Sequence, residues 1–339
     1  MLRFGTSCFM TDQAARQPAA GPSPSLRGFA IQWQRCDWGS STVAVYSWQG
    51  HTCVYDRHPG TGETPPILLI HPIGVGLSRQ FWQPLINQWQ RAPRPTLYVP
   101  DLLGCGDSDK PARAYQPEDW AGQLLELVRE VIKEPVILVV QGALLPVALE
   151  MMMHPERDRW IAGAVFSGPP AWRLMTEPTP GWRQRLNWTL LASPFGLGFY
   201  GYARRRGFLE SFSKRQLFDR PEDVNESWLT MLHQGSRDMA TRYAVFAFLA
   251  GFWRRDYGDA IASLSPPVLV VMGEAASTID RTAQGATAQE RLAAYLDRLP
   301  NGAGVTIPGR NVLPYESAGE FLAAVTQFIE QISAGQPGP

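Results

Sequence analysis

The chain is poor in cysteine. Four residues (Cys8, Cys36, Cys53 and Cys105) occur in 339, with no C-x-x-C pair, which excludes a disulfide-built scaffold and fits a reducing compartment. No run of 18 apolar residues occurs, so no membrane-crossing helix is expected, and MLRFGTSCFM lacks the continuous apolar stretch of a secretory signal. Net charge is nil, 31 basic against 31 acidic residues, whereas nucleic-acid partners are usually met by a basic excess. No metal-ligand cluster stands out. Neither a G-x-G-x-x-G fingerprint nor a Walker loop follows any strand-like run, so no metal and no cofactor is expected. These absences leave a cytoplasmic globular protein.

What is present is ordered and patterned. Residues 11–27 are rich in Pro, Ala, Gly and Ser, and residues 1–28 are expected to be disordered, with Met10 an alternative start. STVAVYSWQG and HTCVYDRHPG alternate apolar and polar residues and end at glycine, as an antiparallel hairpin does. Six short apolar runs follow: PPILLIHP, PTLYVPD, EPVILVVQG, IAGAVFSGPP, PPVLVVMGE and GAGVTIPGR. Near-continuous hydrophobicity over four to six residues predicts strands buried on both faces. Helix-length segments such as EDWAGQLLELVREVIK alternate with them, which predicts an α/β, doubly wound, mostly parallel sheet. Residues 171–262 break the alternation. They hold no strand pattern and read as a helical cap inserted into a core of residues 29–170 and 263–332, with a flexible tail at 333–339.

Four motifs, in order, resemble those of the α/β-hydrolase superfamily over roughly residues 40–332. LLIHPIGVGLSRQFW resembles the His-Gly loop after the third strand, with Pro72 where glycine is usual. VPDLLGCGDSDKP resembles the D-x-x-G-x-G-x-S-D loop, and VVQGALLPVALEM the strand–turn–helix of the nucleophile elbow. PPVLVVMGE and GVTIPGRNVLP resemble the last two core strands, with the loops that carry the acid and the histidine. The resemblance implies an α/β-hydrolase fold with a helical cap, backbone oxyanion-hole donors at Ile73 and Ala143, and a Ser–His–acid triad.

The triad is where the resemblance stops. The elbow that usually reads G-x-S-x-G reads Val140-Gln141-Gly142-Ala143-Leu144, so the nucleophile position is Gly142. The acid position is Ala276, in GEAAS, and the histidine position is Val312, in GRNVLP. No histidine follows His233, so no small shift of register restores one. His154 ends a helix in a His-Pro pair and reads as structural. Cys105, with no histidine near it in sequence, is expected to stay a thiol. Ser78, Ser108 and Ser167 have no evident base, and Glu274 and Asp280 near the acid loop have no histidine to orient. A nucleophile at the elbow is held at positive φ, a strain of about 1–3 kcal/mol for any residue but glycine; glycine removes it where no nucleophile is needed.

The cap holds the most unusual stretch, GWRQRLNWTLLASPFGLGFYGYARRRGF (181–208), uncharged from Trp188 to Ala203 and flanked by arginines. Pro194 and three glycines there interrupt any long helix. Three readings compete: aromatics buried on the core, a wall of an apolar pocket, and shallow insertion at a membrane surface. RYAVFAFLAGFWRR (242–255) repeats the pattern of an apolar helix ending in arginines. The favoured function is a pseudoenzyme with a degenerate triad that holds an apolar or amphipathic small molecule, or a protein partner, between cap and core, with peripheral membrane contact through the cap. His71, Gln141, Trp188, Phe195, Phe199 and His233 are the candidate pocket residues. The alternative is an atypical hydrolase or lyase that uses His71, His233 or a carboxylate as base.

Overall fold

The computed structural model describes residues 42–61, 64–277 and 285–335. Expectations placed on residues 1–41, on Asp280 and on the last four residues lie outside them.

Every one of the six apolar runs is a strand. With the hairpin they form one eight-stranded sheet of order β1-β2-β4-β3-β5-β6-β7-β8. β1 (Thr42–Trp48) and β2 (His51–His58) pair antiparallel. They turn at Gln49–Gly50, where both φ are positive (49° and 81°), the two-residue turn whose twist suits a hairpin. β2 runs antiparallel to β4 (Leu97–Pro100). From β4 the strands run parallel through β3 (Ile67–Ile70), β5 (Val136–Gln141), β6 (Ile161–Ser167), β7 (Val268–Gly273) and β8 (Gly302–Ile307). The fold is thus α/β, doubly wound and mostly parallel, with one antiparallel edge.

Side chains alternate along each strand, so the sheet has two apolar faces. Leu68, Leu138, Val140, Phe166 and Val270 pack on one side with Trp120, Leu124, Leu145 and Tyr295, from the helices Pro117–Glu126, Leu145–Met152 and Ala288–Leu296. Ile67, Leu69, Val139, Val165 and Val271 pack on the other with Leu85, Trp89, Phe321 and Phe328, from the helices Gln83–Trp89 and Ala318–Ser333. The helix predicted from EDWAGQLLELVREVIK starts at Pro117, inside a capping box in which the Gln116 N–H donates to Asp119.

Between β6 and β7 the described chain is helical and holds no strand. Trp228, on the helix Glu226–Gly235, is fully buried among Phe81, Phe218 and Tyr315, with ring centroids 6.4, 5.0 and 4.6 Å away. This cluster ties the insertion to the loops at the C-terminal edge of the sheet. The helices Gly181–Leu191 and Pro194–Ala203 are separate because Ser193 caps the second, accepting from the Phe195 N–H at 3.2 Å, with Pro194 as its first residue. One expectation is corrected. The helix Arg242–Ala250 does not run on to end in arginines: Gly251, at φ +84°, stops it three residues earlier, and Arg255 pairs with Glu118 on the core.

Candidate active site

β5 leads directly into the elbow. Gly142 has φ +65°, a single 3-10 turn covers Gly142–Leu144, and the Leu145–Met152 helix follows with Pro146 at its start. A Cβ built on Gly142 would meet no heavy atom within 4 Å. The backbone therefore keeps the strained turn that displays a nucleophile, and the space above it is open, but there is no side chain to fill it. Ile73, after β3, and Ala143, just past the elbow, are half-buried beside the same sheet edge, as is Ala276 after β7.

Where a hydrolase runs from nucleophile to histidine, this chain has a closed polar bridge. The Ser167 hydroxyl at the end of β6 donates to Gln141 Oε1 at 2.7 Å. Gln141 Nε2 in turn donates to the Asn311 carbonyl at 2.8 Å. The Asn311 amide donates to the Gln216 carbonyl at 2.7 Å, and its backbone N–H to the Leu217 carbonyl at 3.0 Å. Gln141 is buried, and its amide joins the ends of β5 and β6 to the loop after β8, which Asn311 in turn ties to the insertion. Val312, one residue on, is buried in the apolar cluster with Leu313 and Phe321. Gln141, a candidate pocket residue, has both ends of its amide bonded, to Ser167 and to the Asn311 carbonyl. Ser167 and Asn311, its partners, are recognisable only once the parallel register sets Gln141 beside Ser167.

All five histidines lie among the described residues. His71 is fully buried. Its Nδ1–H donates to the Pro72 carbonyl at 2.9 Å and its Nε2 accepts the Leu102 N–H at 3.1 Å. Both nitrogens are occupied by backbone, and burial lowers the ring's pKa, so His71 is a neutral spacer between two loops. His233 is exposed, on the helix whose Leu232 and Gly235 press on Gly76. His51 is on β2, three strand spacings (roughly 14 Å) from β5. His58 is buried at the far end of β2, where its Nδ1 lies 3.0 Å from Gln90 Nε2. His154 lies within 3.4 Å of Arg129, which also pairs with Glu156.

The remaining candidates are also engaged. Ser108 Oγ donates to the Asp101 carbonyl at 2.8 Å and accepts the Val54 N–H at 2.9 Å; Ser78 caps the turn Arg79–Trp82. Burial raises the Cys105 thiol well above its ordinary range, so it is not a thiolate at neutral pH. Glu274 is exposed. Sequence reasoning did not anticipate the charge cluster behind the third- and fourth-strand loops. Arg79 is buried and meets Asp101, Asp56 Oδ2 (3.0 Å) and Asp107 Oδ2 (2.8 Å). Burial opposes the charge on Arg79, but the three carboxylates outweigh it and hold the guanidinium pKa above its usual value. Burial likewise raises Asp56, against the pull of Arg79. The Asp101 carboxylate also accepts the N–H groups of Arg79 and Asp107, each at 2.8 Å. Gly106, at φ +52°, passes so close that a Cβ would lie 2.1 Å from that carboxylate, and only glycine fits.

The cap aromatics are not brought together. Trp188 is half-buried against Tyr243 and Phe252, with centroids 6.4 and 5.9 Å away. Phe195 and Phe199 are 79% and 42% exposed, on the outer side of the insertion. A cleft of about 730 Å³ opens between the third- and fourth-strand loops and the helix Glu226–Gly235. Its lining is mostly polar (Ser78, Asp107, Lys110, Glu226, Thr230 and Gln234 among others) and includes none of Gly142, Ala276 and Val312.

A mostly parallel eight-stranded sheet with a left-handed turn after β5 and a helical insertion after β6 defines an α/β-hydrolase fold. Residues 67–325 match the alpha/beta hydrolase family, and the chain belongs to it. No curated protein matches by sequence. Solved structures agree on the fold. An esterase from Thermogutta terrifontis is 20% identical, covering 86% of this chain and 97% of its own, with a TM-score of 0.65. Cfl2 from Burkholderia cenocepacia is 18% identical, covering 88% and 100%, with a TM-score of 0.68. The epoxide hydrolase CorEH is 16% identical, covering 86% and 99%, with a TM-score of 0.65.

Proposed function

We propose that this member of the alpha/beta hydrolase family does not hydrolyse esters, and that it holds an apolar or amphipathic small molecule over the elbow. The observation that carries the reading is Gly142: a nucleophile turn at φ +65° with open space above it and no side chain to attack. Acyl transfer needs a nucleophile and a base within hydrogen-bond reach of it. The nearest histidine in the family's motifs, His71, has both ring nitrogens bonded to backbone. Half-buried Ile73, Ala143 and Ala276 supply an apolar rim suited to a hydrocarbon guest. Around buried Trp228 the insertion already packs on the core through a ring of aromatics, which leaves less room there for a protein partner.

The test is turnover of p-nitrophenyl esters graded from short to long acyl chains, beside a Gly142→Ser, Ala276→Asp, Val312→His variant. The protein is expected to match the buffer rate at every chain length while retaining uncleaved p-nitrophenyl dodecanoate in equilibrium dialysis. Saturable turnover would overturn the non-hydrolytic reading, and His233→Gln would then show whether a cap histidine is the base. Dialysis without retention would overturn the binding half alone.

A further inference from the structure

Nine large apolar side chains stand exposed among the described residues, and seven of them lie on the two helices Gly181–Leu191 and Pro194–Ala203. A surface helix ordinarily turns its polar face to water. The first of these helices is inverted. At 3.6 residues per turn, Trp182, Leu186 and Leu190 form one stripe, and they are 65%, 60% and 57% exposed. Arg183 and Arg185 fall on its two flanks. The opposite face carries Gln184, which donates to the Gly251 carbonyl at 3.0 Å, and Trp188 against Tyr243 and Phe252. The second helix continues the exposed surface with Phe195, Phe199 and Tyr202.

The charges carried by these two helices and the residues flanking them in sequence have one sign. No acidic residue occurs between Glu177 and Glu210, while Arg183, Arg185, Arg204, Arg205 and Arg206 lie in that span of a chain whose net charge is zero. Arg183 and Arg205 stand 5.8 and 5.7 Å from the ring centroids of Trp182 and Tyr202, so cation and aromatic are presented together. Arg206 pairs with Glu226, and Arg204 donates to Met239 Sδ at 2.9 Å. Arg183, Arg185 and Arg205 border the apolar stripe without a carboxylate within salt-bridge distance among the described residues.

We propose that this helix pair seats the protein on the surface of an anionic lipid bilayer. Trp182, Leu186, Leu190 and Phe195 enter the boundary between headgroups and acyl chains, and Arg183, Arg185 and Arg205 meet lipid phosphates. Charge selects this occupant over others. A second copy, docked face to face by twofold symmetry, would set arginine against arginine. Residues 1–41 carry four arginines and two aspartates, the same sign as the surface they would have to cover. Among the described residues no helix is long and apolar enough to cross a membrane, so the contact is peripheral. Docking of this kind is independent of what happens at Gly142.

The full chain is tested by co-sedimentation with vesicles of phosphatidylcholine alone and of phosphatidylcholine mixed with phosphatidylglycerol. Binding to the mixed vesicles, weakened by salt, is expected. Trp182→Glu with Phe195→Glu is expected to lower the partition coefficient at least a hundredfold, taking roughly tenfold for each buried apolar side chain. Arg183→Gln with Arg185→Gln and Arg205→Gln should lower it by roughly a hundredfold, about fivefold per arginine. All five positions are surface positions, so circular dichroism and Tm should stay at the parent values. Failure of the parent chain to bind, equal binding to both vesicles, or variants that bind as the parent does would each overturn the proposal. So would a concentration-dependent dimer dispersed by Trp182→Glu, which would assign the surface to a second copy.

Discussion

Replacing Gly142 by alanine separates the backbone of the elbow from its chemistry. At φ +65° a non-glycine residue costs about 1–3 kcal/mol. The new methyl group meets nothing within 4 Å, so no steric cost is added. Alanine also restricts the unfolded chain, which returns roughly 0.4–1 kcal/mol. The net loss is therefore about 1 kcal/mol, read as a shift in the urea midpoint by tryptophan fluorescence at constant m. Gly106→Ala provides the contrast. It combines φ +52° with a Cβ only 2.1 Å from the buried Asp101 carboxylate, and should cost more than about 4 kcal/mol or prevent folding. A Gly142→Ala loss as large as that of Gly106→Ala would mean that the space above the elbow is filled. A gain in stability would mean that the turn is not left-handed. Either result would refute the description of Gly142 as an intact but empty nucleophile turn.

Gln141→Leu strands the Ser167 hydroxyl and the Asn311 carbonyl together, and is expected to cost roughly 2–4 kcal/mol in urea unfolding. The pH dependence of stability has a separate source in His58, whose pKa burial lowers from 6.5 to about 4. Between those values the folded state binds fewer protons than the unfolded one. Stability should therefore fall by about 3 kcal/mol as pH drops through this window, and His58→Gln should flatten the slope. Arg79→Met leaves buried Asp101 and partly buried Asp56 without their cation, a loss of about 3–5 kcal/mol near neutral pH. Burial already raises the Asp56 pKa, and removing Arg79 raises it further. The folded variant then binds more protons than its unfolded chain, so its deficit against the parent should narrow as pH falls toward 4 in thermal melts at stepped pH.

The strands were legible because a parallel sheet buried on both faces leaves a direct mark: β5 and β7 are apolar along nearly their whole length and buried throughout. The elbow and the loops after the last two strands were legible for a different reason. They are defined by their distance from glycine and proline turns, and those turns survive in GRNVLP and at Gly142. Long-range polar pairing left no comparable trace. Nothing in local spacing couples Gln141 to an asparagine 170 positions away, or Arg79 to Asp56, Asp101 and Asp107. Exposure was the other blind spot. Trp188 and Phe195 belong to one uncharged run, yet one is half-buried against Tyr243 and the other is 79% exposed, because a break at Ser193 re-aims the second helix.

The bridge from Ser167 through Gln141 to Asn311 also bears on whether a histidine at position 312 could serve the elbow. In an active member of this fold the loop after the last strand must present an imidazole to the elbow, held there by an acid. Here that loop is pinned from two sides. Gln141 holds the Asn311 carbonyl, and Asn311 holds the Gln216 and Leu217 carbonyls of the insertion. Val312 points into the apolar layer with Leu313 and Phe321. A histidine placed at 312 alone would bury a polar ring among hydrocarbon or break the Asn311 contacts to turn outward, and both are costly. The Gly142→Ser, Ala276→Asp, Val312→His chain should therefore stay well below an ordinary esterase. Adding Gln141→Ala, which frees the loop, should raise its turnover while lowering its stability. If the triple variant were fully active with Gln141 intact, the bridge would be no barrier to an imidazole at the elbow.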